Sequence, residues 1–210
     1  IPHRWIHSGL WSWQRYGLGP ENSLPLESSG DYTRELGSLR FADFGTNKTG
    51  DNLLNRVWYQ PEEVFPVDGT PEERQHVFQV NVDTDYYRLA KALKNLKLER
   101  CINSTKCLQN TPRVNRESAG TSTSIYLDNA AYASFLFDKF NVTTVDMESA
   151  AVALVCYQQK VPFIVIRGLS NLAGRGDEAD VFTPLVANNT VKVVVEFIKY
   201  FSPVEARSDA

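Results

Sequence analysis

The chain holds a single methionine, and it stands beside a carboxylate in Val145-Asp146-Met147-Glu148-Ser149-Ala150-Ala151. A β-branched run ends there and an Ala-rich apolar run begins, a change from strand to helix periodicity. In α/β proteins that junction, at the carboxyl end of a strand, is where ligands bind. A second apolar run over 163–169 ends in Ser170-Asn171, so two polar strand ends are expected to face one crevice. A carboxylate in the first turn of a helix is held ionised by the helix dipole. As a pure acceptor it can take hydrogen bonds from two neighbouring hydroxyls, such as those of a ribose. A thioether suits the flat face of a sugar or base, and the polar group at the second strand end could reach a purine edge. The plain alternative is that Met147 fills core space and Glu148 caps its own helix. Residue types alone leave both open.

The elements that must position these groups follow from periodicity. The Trp-rich opening, residues 3–16, has strand character, with Trp11 and Trp13 on one face and a turn at 17–20. Strands are predicted at 38–44, 76–82, 121–127, 141–145 and 163–169, the third of them delivering Tyr126. Helices are predicted at 83–96, 128–140, 147–159 and 185–201, the first with Tyr86, Leu89, Ala90, Leu93 and Leu96 on one face. Residues 46–52 and 108–120 are expected to be loops, 61–74 irregular, and the Gly-containing stretch 172–181 a candidate lid. Alternating strands and helices in the second half imply an α/β fold, a largely parallel mixed sheet flanked by helices. The length suits a single domain over 1–210.

Composition narrows the partners. Apolar residues make up 42% of the chain, enough for a core, and a net charge of −3 argues against a nucleic-acid partner. No apolar run approaches the roughly 18 residues needed to cross a membrane as a helix. His3, His7 and His76 lack metal-ligand spacing and no Ser–His–Asp arrangement is visible, so neither a metal nor another cofactor is implied. Of the three cysteines, Cys101 and Cys107 bracket a short polar loop and are expected to pair. The bond would contribute about 2 kcal/mol through loop closure. Cys156, in an apolar helix, is expected to be a buried free thiol. Asn47, Asn103, Asn141 and Asn188 each open an Asn-x-Ser/Thr sequon. Asn47 and Asn103 lie in turn-like segments and are the expected glycan acceptors, whereas Asn141 is expected to be a structural turn. Together with the disulfide they favour a secretory route, ending in the vacuole or outside the cell.

Several motifs carry a family resemblance. Val145–Ala151 followed by Ile166-Arg167-Gly168-Leu169-Ser170-Asn171-Leu172-Ala173-Gly174 resembles the nucleoside phosphorylase and methylthioadenosine/adenosylhomocysteine nucleosidase superfamily. His7-Ser8-Gly9-Leu10-Trp11-Ser12-Trp13-Gln14, Gly30-Asp31-Tyr32-Thr33-Arg34-Glu35 and Val57-Trp58-Tyr59-Gln60-Pro61-Glu62-Glu63-Val64-Phe65-Pro66-Val67 resemble its plant branch of bark and vegetative storage proteins and wound-inducible relatives. The resemblance implies a phosphorylase-type three-layer fold. It assigns Glu148 to the ribose hydroxyls, Met147 to the sugar face and Tyr126 to stacking on the purine, with Leu127 and Ser170 completing the binding set. It also implies a homo-oligomer.

Two departures matter. The position of Asn171 is normally Asp, which protonates the departing base. An amide there implies either loss of the general acid or, as in superfamily members acting on 6-oxopurines, a change of specificity. Chains of the family also begin with a βαβ unit and a Gly-rich phosphate loop. This sequence starts at Ile1-Pro2, downstream of that unit, and is expected to span the C-terminal two-thirds of the family fold. Phosphate remains a possible co-substrate without an assignable ligand. The expected function is that of a storage or defence protein with a purine nucleoside pocket and weak or no catalysis. The alternative is an active purine nucleoside phosphorylase or nucleosidase. A minor one is a wound-inducible protease inhibitor presenting Lys106 from the Cys101–Cys107 loop.

Overall fold

Trp5 and Ile6 are consecutive on one strand, so they point to opposite faces of the sheet that contains it, and each is only 1% exposed. That sheet is therefore covered on both sides. The computed structural model describes residues 1–8, 11–12, 38–40, 56–59, 62–67, 73–175 and 181–201. In chain order the elements are β1 (Pro2–His7), β2 (Trp11–Ser12), β3 (Ser38–Arg40), β4 (Arg56–Tyr59), β5 (Glu62–Val64), β6 (Gln75–Val77), β7 (Gln79–Asn81), α1 (Thr84–Leu89) continuing as a 3₁₀ helix (Ala90–Asn95), β8 (Glu117–Ser122), α2 (Ala130–Phe140), β9 (Val142–Asp146), α3 (Ser149–Gln158) and α4 (Thr183–Phe201). The main sheet has the order β7-β1-β8-β9, with β1, β8 and β9 parallel and β7 antiparallel to β1. Two small antiparallel sheets, β2-β4-β3 and β5-β6, are formed separately.

The two faces of β1 define the layers. On the Ile6 side, Phe135 and Leu136 of α2 pack with Ala119 and Val142. On the Trp5 side, Ala150, Ala153 and Leu154 of α3 pack with Val64 and Val80. A third cluster joins Ala90 and Leu93 of the 3₁₀ helix to Val193 and Phe197 of α4. The result is the expected α/β arrangement, a mixed and mostly parallel sheet between helices.

The carboxyl ends of the parallel strands are tied together by one buried carboxylate. Asp146, whose side chain is 0% exposed, ends β9. Its Oδ1 accepts from the Ser122 hydroxyl at 2.5 Å and from the backbone N–H groups of Glu148 and Ser149 at 3.2 Å each. Its Oδ2 accepts from the Ser149 hydroxyl. Ser122 Oγ in turn accepts from the Ala150 N–H at 2.8 Å. The opening N–H groups of a helix have no partners within it; here strand-end side chains supply them. Ser8 joins the same knot, its N–H donating to the Ser122 carbonyl at 3.0 Å, while Thr123 N–H donates to the Asp146 carbonyl at 2.9 Å.

The structure corrects several sequence-based expectations. The strand placed at 121–127 lies at Glu117–Ser122 instead, so part of the expected loop 108–120 is strand and Tyr126 sits beyond the sheet. Gly120 is suited to that strand because the Trp5 ring packs against it, and a Cβ there would come within 2.8 Å of the ring; Ala119 faces the other way, into the α2 cluster. The single strand expected over 76–82 is split at Phe78, whose ring packs 5.2 Å from that of Phe140, leaving β6 to pair with β5 and β7 with β1. Residues 163–169 form no strand. Their side chains alternate all the same: Phe163 and Val165 pack on the α3 cluster, Ile164 and Ile166 on the α4 cluster. The apolar alternation therefore reflects packing between two layers without ladder pairing. The predicted helix 147–159 begins only at Ser149, after the Asp146 cap. Helix 83–96 tightens to 3₁₀ from Ala90 onward. Asn141 is left-handed, with φ 56°, and closes α2, as a structural turn should. The opening strand is divided between β1 and β2; Trp13, the turn at 17–20, loop 46–52 and Asn47 lie outside the described residues. Cys101 and Cys107 form a disulfide, and Cys156 is free but only half-buried.

Two stability outcomes follow. Asp146→Ala removes a cap and leaves two hydroxyls and two N–H groups without their acceptor, and is expected to cost on the order of 3 kcal/mol in urea unfolding. Asp146→Asn, which keeps an acceptor oxygen, should cost less; equal losses would show that charge alone matters there. The double variant Cys101→Ser, Cys107→Ser is expected to lose about 2 kcal/mol, seen as a lower urea midpoint, and an unmoved midpoint would assign the bridge no stabilising role.

Candidate functional site

Glu148 occupies the N-cap position of α3 yet makes no capping bond with its side chain. Asp146 and Ser122 have already taken that duty, so the Glu148 carboxylate is left for something else. Its side chain is 67% exposed, and the Arg167 guanidinium stands 3.7 Å from it and equally 3.7 Å from Asp146 Oδ2. An ion pair this exposed contributes little to stability; its effect is to set a cation beside two carboxylates at one strand end. Met147 N–H donates to Glu148 Oε2 at 3.3 Å. The Met147 side chain is 46% exposed and is not core filling. The plain alternative for this pair therefore does not describe the structure.

The second cluster grows from two loops. Beyond β8 the Thr123 hydroxyl donates to the Ile125 carbonyl at 2.5 Å, turning the chain before Tyr126. Asp128 Oδ1 accepts from Gly174 N–H at 2.6 Å, joining this loop to the one after Asn171. Gly174 has φ +82°, and a Cβ there would lie 2.7 Å from Ala130, so glycine is required twice over. Between these anchors Asn171 Nδ2 donates to the Tyr126 hydroxyl at 2.7 Å, and Ser170 Oγ donates to Asn171 Oδ1 at 3.2 Å. Gly168 sets the depth of the segment: a Cβ on it would lie 2.1 Å from Thr190 Oγ1, so the chain lies directly against α4 just before Ser170.

Of the predicted binding set, the structure joins Tyr126, Ser170 and Asn171 in one hydrogen-bonded group. It places Met147 and Glu148 in another, at the end of β9, linked through Arg167 to the same segment that carries Ser170 and Asn171. Ile125, Leu169 and Leu172 add exposed apolar side chains to these loops. Leu127 differs, since its side chain packs toward the α2 core cluster. A cleft of about 560 Å³ lies elsewhere, around Cys156, Tyr157, Lys160 and Phe163 at the far end of α3, and holds none of the predicted residues. Among the described residues no group of three His, Cys, Asp or Glu could hold a metal ion, and no helix is long and apolar enough to cross a membrane. Sequence reasoning missed Asp146, Ser122 and Arg167. The signal for the first was present: an Asp followed three residues later by Ser at a helix start is a capping pattern.

The arrangement offers an uncapped carboxylate acceptor with a guanidinium beside it, a thioether, and an exposed aromatic ring fixed by an amide. Comparison with known proteins gives these groups a context. Residues 50–199 match the Phosphorylase superfamily. The chain is 31% identical over 199 residues to bark storage protein A of Populus deltoides, covering 94% of this chain and 57% of that protein. It is 34% identical over 168 residues to bark storage protein B of the same species, covering 80% and 53%. A shorter match, 47% identical over 55 residues, covers 25% of this chain and 24% of the 5'-methylthioadenosine/S-adenosylhomocysteine nucleosidase of Psychromonas ingrahamii. The chain thus spans a little over half the length of the bark storage proteins that it matches. The family match and the mostly parallel sheet between helices agree, and the chain belongs to the phosphorylase superfamily.

Proposed function

We propose that the carboxyl edge is a purine nucleoside recognition site with slow or absent cleavage of the N-glycosidic bond, carried by a protein whose role is storage or defence. The observation that carries this reading is the hydrogen bond from the Asn171 amide to the Tyr126 hydroxyl. Cleavage leaves an electron pair on the purine that a proton must meet. An amide nitrogen donates a hydrogen bond but does not deliver that proton. A positioned general acid is worth roughly 10²–10⁴-fold, or about 3–5 kcal/mol of barrier. The groups that this reading assigns to the ribose are present by contrast. Glu148 is free of capping duty and can accept from paired hydroxyls, Met147 is exposed beside it, and Tyr126 offers a ring face. The bark storage relatives support the biological role.

The shorter nucleosidase match favours a second reading, an active enzyme that cleaves purine nucleosides. Calorimetry with adenine, inosine and methylthioadenosine, run beside an assay for free base with and without phosphate, separates the two. Binding without base release fits the proposal, and release at ordinary enzyme rates overturns it.

Glu148→Ala is expected to weaken nucleoside binding roughly tenfold or more, the loss of a charge-assisted hydrogen bond, while free adenine binds as before. Equal loss for both would remove the ribose role from this carboxylate. Asn171→Asp is expected to raise base release by roughly 10²-fold or more without a matching change in affinity. An unchanged rate would show that the missing acid is not what limits the reaction.

A further inference from the structure

Three sequons fall among the described residues, and the fold treats them differently. In Asn141-Val142-Thr143 the first residue closes α2 and the middle one is 4% exposed in the core. In Asn188-Asn189-Thr190 the tripeptide is inside α4. Asn189 is buried and bonded through both side-chain atoms to the backbone of Glu99, and the Thr190 hydroxyl donates to the Val186 carbonyl. In Asn103-Ser104-Thr105 all three residues are exposed, and so is every other residue of the disulfide-closed loop 101–107.

The loop is ordered by the asparagine itself. Asn103 Oδ1 accepts from Thr105 N–H at 3.0 Å, from the Thr105 hydroxyl at 3.0 Å and from Lys106 N–H at 2.9 Å. Two backbone donors identify that atom as the oxygen, which leaves Nδ2 turned away from the loop backbone, with no hydrogen bond to any of the described residues. The base of the loop is fixed to the body of the protein. Ile102 N–H donates to the Lys106 carbonyl and Leu108 N–H to the Arg100 carbonyl, each at 2.9 Å. Arg100 Nε donates to the Leu108 carbonyl at 2.8 Å, and Glu99 N–H donates to Asn189 Oδ1 at 2.8 Å. A bulky group on Nδ2 therefore projects from a braced tip into solvent and displaces no packing.

We infer that Asn103 is an N-glycosylation site of this protein, taking an oligosaccharide from a lipid-diphosphate-linked donor. In the transfer, Nδ2 forms a bond to the anomeric carbon of the donor and loses one proton to a base of the transferase. The bond from that carbon to the diphosphate oxygen breaks, and the lipid diphosphate leaves with the electron pair. The hydroxyl of Thr105, already on Asn103 Oδ1, draws electron density from the amide toward its oxygen and favours loss of that proton. The disulfide that closes the same loop, between cysteines six positions apart, is of the kind formed in the oxidising compartment in which such donors act. This inference is independent of the nucleoside site.

The test is peptide mapping of the whole chain secreted from a eukaryotic host. The peptide containing Asn103 is expected to carry a hexose and N-acetylhexosamine mass that peptide N-glycosidase removes, leaving Asp at 103. Thr105→Ala should abolish the modification and Thr105→Ser should retain it, while Asn188→Gln leaves it unchanged. An unmodified Asn103 peptide in secreted, disulfide-bonded protein would overturn the inference, as would a modification that survives Thr105→Ala.

Discussion

The Asp146 carboxylate is the constraint on which the carboxyl edge of the sheet depends. It is fully buried, and a buried charge persists only where its acceptor positions are filled. Here the donors come from the end of one strand, Ser122 of β8, and from the start of a helix, the Ser149 hydroxyl and the N–H groups of Glu148 and Ser149. Asp146 ends β9, Ser122 ends β8 and the remaining donors open α3, so satisfying the carboxylate ties the ends of both strands to the departure of the helix. The edge is rigid because a charge inside it requires it to be.

This division of labour explains why the neighbouring acidic residue is free. Had α3 been capped by Glu148 in the ordinary way, its carboxylate would be folded onto backbone N–H groups and closed to a ligand. Because Asp146 and Ser122 cap the helix, Glu148 projects outward beside Arg167. Two acidic residues separated by one methionine thus have opposite fates, one holding the fold together and one exposed to solvent. In the same region Tyr126 and Asn171 hold each other in place, so the aromatic face and the amide are oriented before anything binds.

Much of the α/β character was legible from the chain, for reasons that can be named. Residues 128–140 and 185–201 have apolar spacing that only a helix satisfies, and α2 and α4 lie close to those limits. The Asp146–Glu148 junction was legible because β-branched residues give way abruptly to alanines. What could not be read was pairing. The run 163–169 alternates as a strand does, but alternation reports two packed faces and carries no information on whether a neighbouring strand supplies hydrogen bonds. The limits of β8 were missed because Glu117, Ser118, Ala119 and Gly120 have weak strand preference; their place comes from pairing with β1, whose Trp5 ring packs on Gly120. The resemblance placed Leu127 in the binding set with Tyr126, but its side chain packs on the α2 core cluster while Tyr126 is exposed.

The fit at Gly168 has a mechanical consequence. With no room for even a methyl group between this residue and the Val186–Thr190 turn of the last helix, the backbone leading to Ser170 and Asn171 rests on that helix as on a solid support. A displacement of the terminal helix, whether by substitution on its inner surface or by pressure from a neighbouring molecule, is transmitted to those two polar groups with little intervening compliance. α4 is in this way part of what aims the amide.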